Sequence, residues 1–220
     1  ENAIETYRQA LRINPEQAIA WYNLGLAYNH LDHHEDAIDA YSQTLRINPK
    51  NASAWRNLGN SYRNLERYQD AIEAYHKCLG INPKDSEAWT NLGFACIELN
   101  RLEEAAEAFR QSILIEPKDS INWNALGIIY RILERYEEAA EASCQAIIID
   151  PKDVIGWNNL GIAYKNLRRF EEAVDAYCKA LHINAEDASS WYGLGFSYSE
   201  LSHYEDAIEA YRQALRIDPE

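Results

Sequence analysis

The sequence predicts an all-α fold, a solenoid of antiparallel helix pairs, and three observations carry that prediction. Trp21, Trp55, Trp89, Trp123, Trp157 and Trp191 are the only tryptophans and stand 34 residues apart. A self-similar period of about 20–50 residues marks stacked supersecondary units. Each tryptophan is followed at three and four residues by Leu24-Gly25, Leu58-Gly59, Leu92-Gly93, Leu126-Gly127, Leu160-Gly161 or Leu194-Gly195. Each unit also holds a second stripe at fourfold spacing, such as Ala37, Tyr41 and Leu45, or Ala71, Tyr75 and Leu79.

The first helix of each unit begins after Asn51, Asp85, Asp119, Asp153 or Asp187, whose side-chain oxygens suit an N-cap. Offsets of zero, three, four and seven from the tryptophan share one helix face, so the tryptophan, leucine, glycine and a ring (Tyr28, Tyr62, Tyr130, Tyr164, Tyr198) form a stripe expected to be buried. A short turn follows. The second helix opens on acids, Glu35-Asp36, Glu103-Glu104, Glu137-Glu138, Glu171-Glu172 and Glu205-Asp206, which favour the positive end of its dipole. Its small residue, ring and aliphatic pack antiparallel on the first helix. Pro15, Pro49, Pro83, Pro117, Pro151 and Pro219 stop it, because proline cannot extend a helix and restrains the residue before it.

The resulting units are residues 1–17, the second helix of a repeat, then 18–51, 52–85, 86–119, 120–153, 154–187 and 188–220. They are expected to form one continuous array of six and a half repeats. The Trp-x-x-Leu-Gly-x-x-Tyr core with this period resembles the tetratricopeptide repeat family over the whole chain. The resemblance implies a right-handed superhelical solenoid whose first helices line a concave groove. Cys96 and Ser143 stand where the pattern has rings, and Ala185 where it has proline, with local loosening expected.

The 220 residues carry 35 acids against 21 Lys and Arg, a net charge of −14. Nonspecific nucleic-acid affinity rests on cations that neutralise phosphates, so nucleic acid is not an expected partner. This sets aside helical-hairpin repeats that read RNA base by base. No apolar run is long enough to span a bilayer, and no membrane partner is expected. Cys78, Cys96, Cys144 and Cys178 lie within helical patterns as small buried hydrophobes, which implies a reducing, cytoplasmic setting.

No phosphate loop, nucleophile elbow or zinc-binding helix is present, so no catalysis and no cofactor are expected. His30, Asp32, His33 and His34 form the one polar cluster with metal-like spacing. They occupy an inter-helix turn, and a packed or solvated turn is the expected role.

Function is expected on the opposite face of the first helices, at offsets −2, +2, +5 and +9 from each tryptophan. The +2 slot holds Asn23, Asn57, Asn91, Ala125, Asn159 and Gly193. This resembles the asparagine ladder of O-GlcNAc transferase-like proteins, where amides grip a peptide backbone; an amide both donates and accepts. The carboxylate clamp of chaperone-binding members is matched by Arg56, Asn60 and Asn91, but Ile121 and Ala125 stand where its remaining cations belong. In the fourth repeat the outer stripe becomes Ile121, Ala125, Ile128 and Ile132, with Phe94, Ile155, Ile162 and Phe196 in neighbouring repeats. Such an apolar face marks a binding site.

The expected function is a protein–protein interaction module that binds a peptide or partner segment with apolar anchors, Arg56, Arg63, Arg131 and Lys165 pairing with its acids. Two alternatives are a self-associating scaffold and a substrate-selecting arm of a larger enzyme. The chain has no methionine and no polar capping helix, so it is expected to be a segment of a longer array with apolar ends capable of end-to-end stacking.

Overall fold

A computed structural model describes residues 2–219. Among them are thirteen α-helices and no strand. The chain divides into two compact units, Glu1–Ile115 and Glu116–Glu220. Unit 1 holds α1 (Asn2–Ile13), α2 (Ala18–Asn29), α3 (His34–Ile47), α4 (Ala52–Asn64), α5 (Tyr68–Ile81), α6 (Ser86–Glu98) and α7 (Leu102–Ile115). Unit 2 holds α8 (Ser120–Ile132), α9 (Tyr136–Ile149), α10 (Val154–Asn166), α11 (Phe170–Ile183), α12 (Ala188–Glu200) and α13 (Tyr204–Ile217).

The helix starts follow from short-range chemistry. Asn51 accepts from the Ala54 amide, Asp85 from Ala88, Asp119 from Ile121, Asp153 from Ile155 and Asp187 from Ser190. Each bond satisfies an amide that the first turn leaves without a partner. Between the helices of each pair one residue is left-handed: Asp32, Glu66, Asn100, Glu134, Arg168 and Ser202 have φ between 55° and 63°. None is glycine, so every repeat carries a residue in a conformation that costs an L side chain energy.

In every pair but α8–α9 the ring of the second helix lies against the glycine of the first. A Cβ added to Gly59 would stand 2.6 Å from the Tyr75 ring, and one on Gly161 equally close to Tyr177. Glycine is required here for close approach. Tyr41, Tyr75, Phe109 and Tyr177 are fully buried by this contact. In the α8–α9 pair, where Ser143 replaces the ring, the nearest atoms to a Cβ on Gly127 are Ser143 Oγ and the Ala139 carbonyl. The side-chain oxygen at 3.0 Å is the nearest contact there, and backbone atoms follow at 3.5 and 3.6 Å, each more distant than the ring carbon nearest to Gly59.

The tryptophans are half-buried, not buried as the stripe implied. The reason is a bond to the preceding inter-repeat turn: each indole N–H donates to the carbonyl six residues earlier, from Trp21 to Pro15 at 2.8 Å through Trp191 to Ala185 at 2.8 Å. The bond holds each indole at the edge of the core, and the Ala185 carbonyl accepts as the proline carbonyls do. Full burial falls one residue earlier, at Ala54, Ala88, Asn122 and Ser190. Cys78 and Cys96 are buried, and burial pushes the Cys96 thiol up to about 11. Cys144 is half-buried, and Cys178, expected inside, is exposed.

Candidate functional site on the first helices

In unit 1 the open face belongs to α2, α4 and α6, and its amides are largely engaged within the protein. Asn57 Nδ2 donates to the Tyr22 hydroxyl at 3.0 Å. Asn60 Oδ1 accepts from the Tyr75 hydroxyl at 2.8 Å and from Asn91 Nδ2 at 3.0 Å. Arg63 donates to Asn91 Oδ1 at 3.0 Å. These bonds tie the first helix of one repeat to that of the next, because the +2 slot points toward the inter-repeat junction as well as outward. Asn23 is half-buried.

Arg56 is also paired within the chain. It donates to both oxygens of Asp85, at 3.0 and 3.1 Å, and lies 3.0 Å from Glu87. The cation expected to meet a partner's acid therefore steadies the N-cap of α6. Phe94 packs edge-on against Phe109, ring centroids 5.1 Å apart.

Unit 2 differs in chemistry. On α8, Ile121 is 61% exposed and Ile132 50%, and Ile155 on α10 is 58% exposed. Ile128, Ile162 and Phe196 are half-buried. Exposed isoleucines thus recur on α8 and α10, and in unit 1 Ile19 of α2, in the slot of Ile121 and Ile155, is exposed as well. Ala125 and Asn159, expected on the open face, are instead buried at 8% and 7% exposure, because the +2 slot turns into the junction here too.

The cations of this face are Arg131 and Lys165, both half-buried. Lys165 Nζ stands 5.3 Å over the Phe196 ring. Its pKa is lowered, first by burial and then by Arg131. Among the described residues neither cation forms an ion pair.

Several participants were not singled out from the sequence. Asn29 Oδ1 accepts from Ser61 Oγ at 3.0 Å and lies 3.1 Å from His34 Nδ1, which gives one histidine of the turn cluster a partner inside the fold. In the +1 slot, Asn158 Nδ2 donates to Ser190 Oγ at 2.8 Å, and Asn124 bonds Asp153. Counting the +1 and +8 slots as well as +2 would have found them, since Arg63, Arg131 and Lys165 share +8.

These features define an all-α helical-hairpin repeat protein whose first helices carry internally bonded amides in unit 1 and, at the equivalent positions of unit 2, isoleucines and donors without acceptors. Residues 1–120 match the family model of the Cilia and flagella-associated protein 70 C-terminal domain. Tetratricopeptide repeat models match residues 122–153, 154–187 and 188–220. The chain belongs to the tetratricopeptide repeat family.

Similar solved structures include the MamA protein, 20% identical over 76% of this chain and 92% of that one, TM-score 0.73. MamA from Desulfovibrio magneticus RS-1 is 18% identical over 76% of this chain and 95% of that one, TM-score 0.71. YrrB, described as a tetratricopeptide repeat protein with an unusual peptide-binding site, is 19% identical over 83% of this chain and 94% of that one, TM-score 0.75. At such identity the likeness shows the fold alone. No curated protein matches the sequence. No helix among the described residues is long and apolar enough to cross a membrane.

Proposed function

We propose that the chain is a protein–protein interaction module that holds an extended partner segment on its first helices. The observation that carries this reading is the outward exposure of Ile121, Ile132 and Ile155 on neighbouring helices of a chain with a large acid excess. Ile121, Ile128, Ile132 and Ile162 would receive apolar anchors of the segment, and Arg131 and Lys165 its acidic side chains. In unit 1, Phe94 would add an apolar contact, while Asn23, Asn57, Asn60, Asn91, Arg56 and Arg63 would meet backbone groups by exchanging some of their internal bonds. Asn159, whose buried Nδ2 has no hydrogen-bond partner, would offer that amide to the segment. The peptide-binding description of YrrB supports the reading by likeness of fold.

Peptide display against the intact chain tests it. Enriched peptides should share spaced apolar residues and should lose most of their affinity for Ile128→Asp and Ile132→Asp variants. Unchanged affinity in both variants sinks the proposal.

A further inference from the structure

Two side-chain clusters of unit 2 lack the acceptor that completes their counterpart in unit 1. There, Tyr75 and Asn91 both donate to Asn60 Oδ1, and Arg63 donates to Asn91. Two periods later the slots of Tyr75, Asn60, Asn91 and Arg63 hold Ser143, Ile128, Asn159 and Arg131. Three periods later they hold Tyr177, Ile162, Gly193 and Lys165. Isoleucine thus stands twice where the shared acceptor was.

The consequence is a set of donors without acceptors. Arg131 Nε, Asn159 Nδ2 and the Tyr177 hydroxyl are buried with no hydrogen-bond partner, as is Ser143 Oγ. A Cβ on Gly193 would stand 2.6 Å from the Tyr177 oxygen, so this hydroxyl fills the volume of the absent +2 side chain. Arg131 acts electrostatically on both Tyr177 and Lys165, and Arg131 and Asn159 hold the slots that Arg63 and Asn91 bridge in unit 1. Buried polar groups are ordinarily satisfied, and two neighbouring cations without a counter-charge are unfavourable. A carboxylate answers both deficits, since each of its oxygens accepts and its charge offsets the cations. A neutral carbonyl answers only the first.

We infer that Arg131, Lys165, Asn159 and Tyr177 form a carboxylate-receiving site for an Asp or Glu side chain of the partner segment, set between the apolar positions of Ile128 and Ile162. The inference rests on the peptide-binding reading and adds to it the partner's chemistry, an acid flanked by apolar residues. The site lies outside the clamp slots, which hold Ile121 and Ala125 in this unit.

Sodium acetate titrated into the isotope-labelled chain, against sodium chloride at matched ionic strength, tests the site directly by NMR. The Asn159 side-chain amide should shift saturably with a midpoint on the order of millimolar, while that of Asn91, whose partners are satisfied, stays in place. Arg131→Gln should weaken the effect about tenfold. Ile128→Asn, which supplies the acceptor that Asn60 supplies to Asn91, should suppress it with circular dichroism unchanged. An acetate response no larger than that of chloride, or equal in Arg131→Gln, overturns the inference. A second arm uses two fluorescein-labelled peptides, Ile-Ala-Asp-Ala-Ile and its Asn analogue, with the Asp form expected to bind about tenfold tighter. Equal, measurable affinity for both overturns the carboxylate site and leaves the peptide-binding reading standing. Acetate binding with neither peptide bound supports the site and counts against that reading.

Discussion

Asn91 Nδ2 donates to Asn60 Oδ1 at 3.0 Å, joining the first helices of two successive repeats. The same acceptor takes the Tyr75 hydroxyl, so one amide oxygen satisfies two donors at the edge of a core where Tyr75 is wholly buried. The bonds that this asparagine makes serve cohesion between repeats.

An Asn60→Ala variant should therefore destabilise the protein by about 1–3 kcal/mol, because the Tyr75 hydroxyl is left buried and unsatisfied. Asn159→Ala, in the slot equivalent to Asn91, should cost less, since its Nδ2 has no partner to lose. Urea denaturation of the two variants checks the contrast, and equal losses would refute it.

Glu134 lies at φ 58°, and its counterparts repeat that conformation every 34 residues. Replacement of Glu134 by glycine removes a left-handed cost of roughly 1–2 kcal/mol but adds unfolded-state entropy of about 0.5–1. A net gain of about 0.5–1 kcal/mol should appear as a higher Tm.

Gly59→Ala acts in the opposite direction. Its Cβ would meet three ring carbons of Tyr75 at 3.0 Å or less, and the fully buried ring has little room to withdraw. Overpacking of this kind costs about 1–3 kcal/mol. Chemical denaturation should show it, with α4 and α5 the first helices to gain hydrogen exchange.

Buried thiols tie stability to alkaline pH. The Cys96 thiol ionises near 11 in the fold against an ordinary value of 9, so the folded state disfavours its thiolate. Its contribution is present in full below about pH 9 and is lost as pH rises through 11. The urea midpoint should fall across that window, and less steeply in a Cys96→Ala variant. Thiol reagents at pH 8 should label exposed Cys178 before Cys78 or Cys96.

The helical repeat was legible because its signals are local. A cap acts over three residues, an indole bonds a carbonyl six residues back, and a stripe needs only one helix. The first-helix face was legible in composition, so the isoleucines of α8 stood out before any coordinates. Which of its groups are available was not legible. Asn57 meets Tyr22 from 35 residues away, and Arg56 meets Asp85 from 29.

By itself, then, the sequence determined the all-α hairpin units, their period and the shift from amides to isoleucines, since each depends on contacts within a helix or turn. Only the tertiary structure decided that the +2 slot turns into the junction between repeats, burying Asn159 and Ala125 and pairing Asn60 with Asn91. The reason is geometric. A helical wheel gives the direction of a side chain about its own axis, but only packing of the next repeat determines whether that direction meets solvent or another helix.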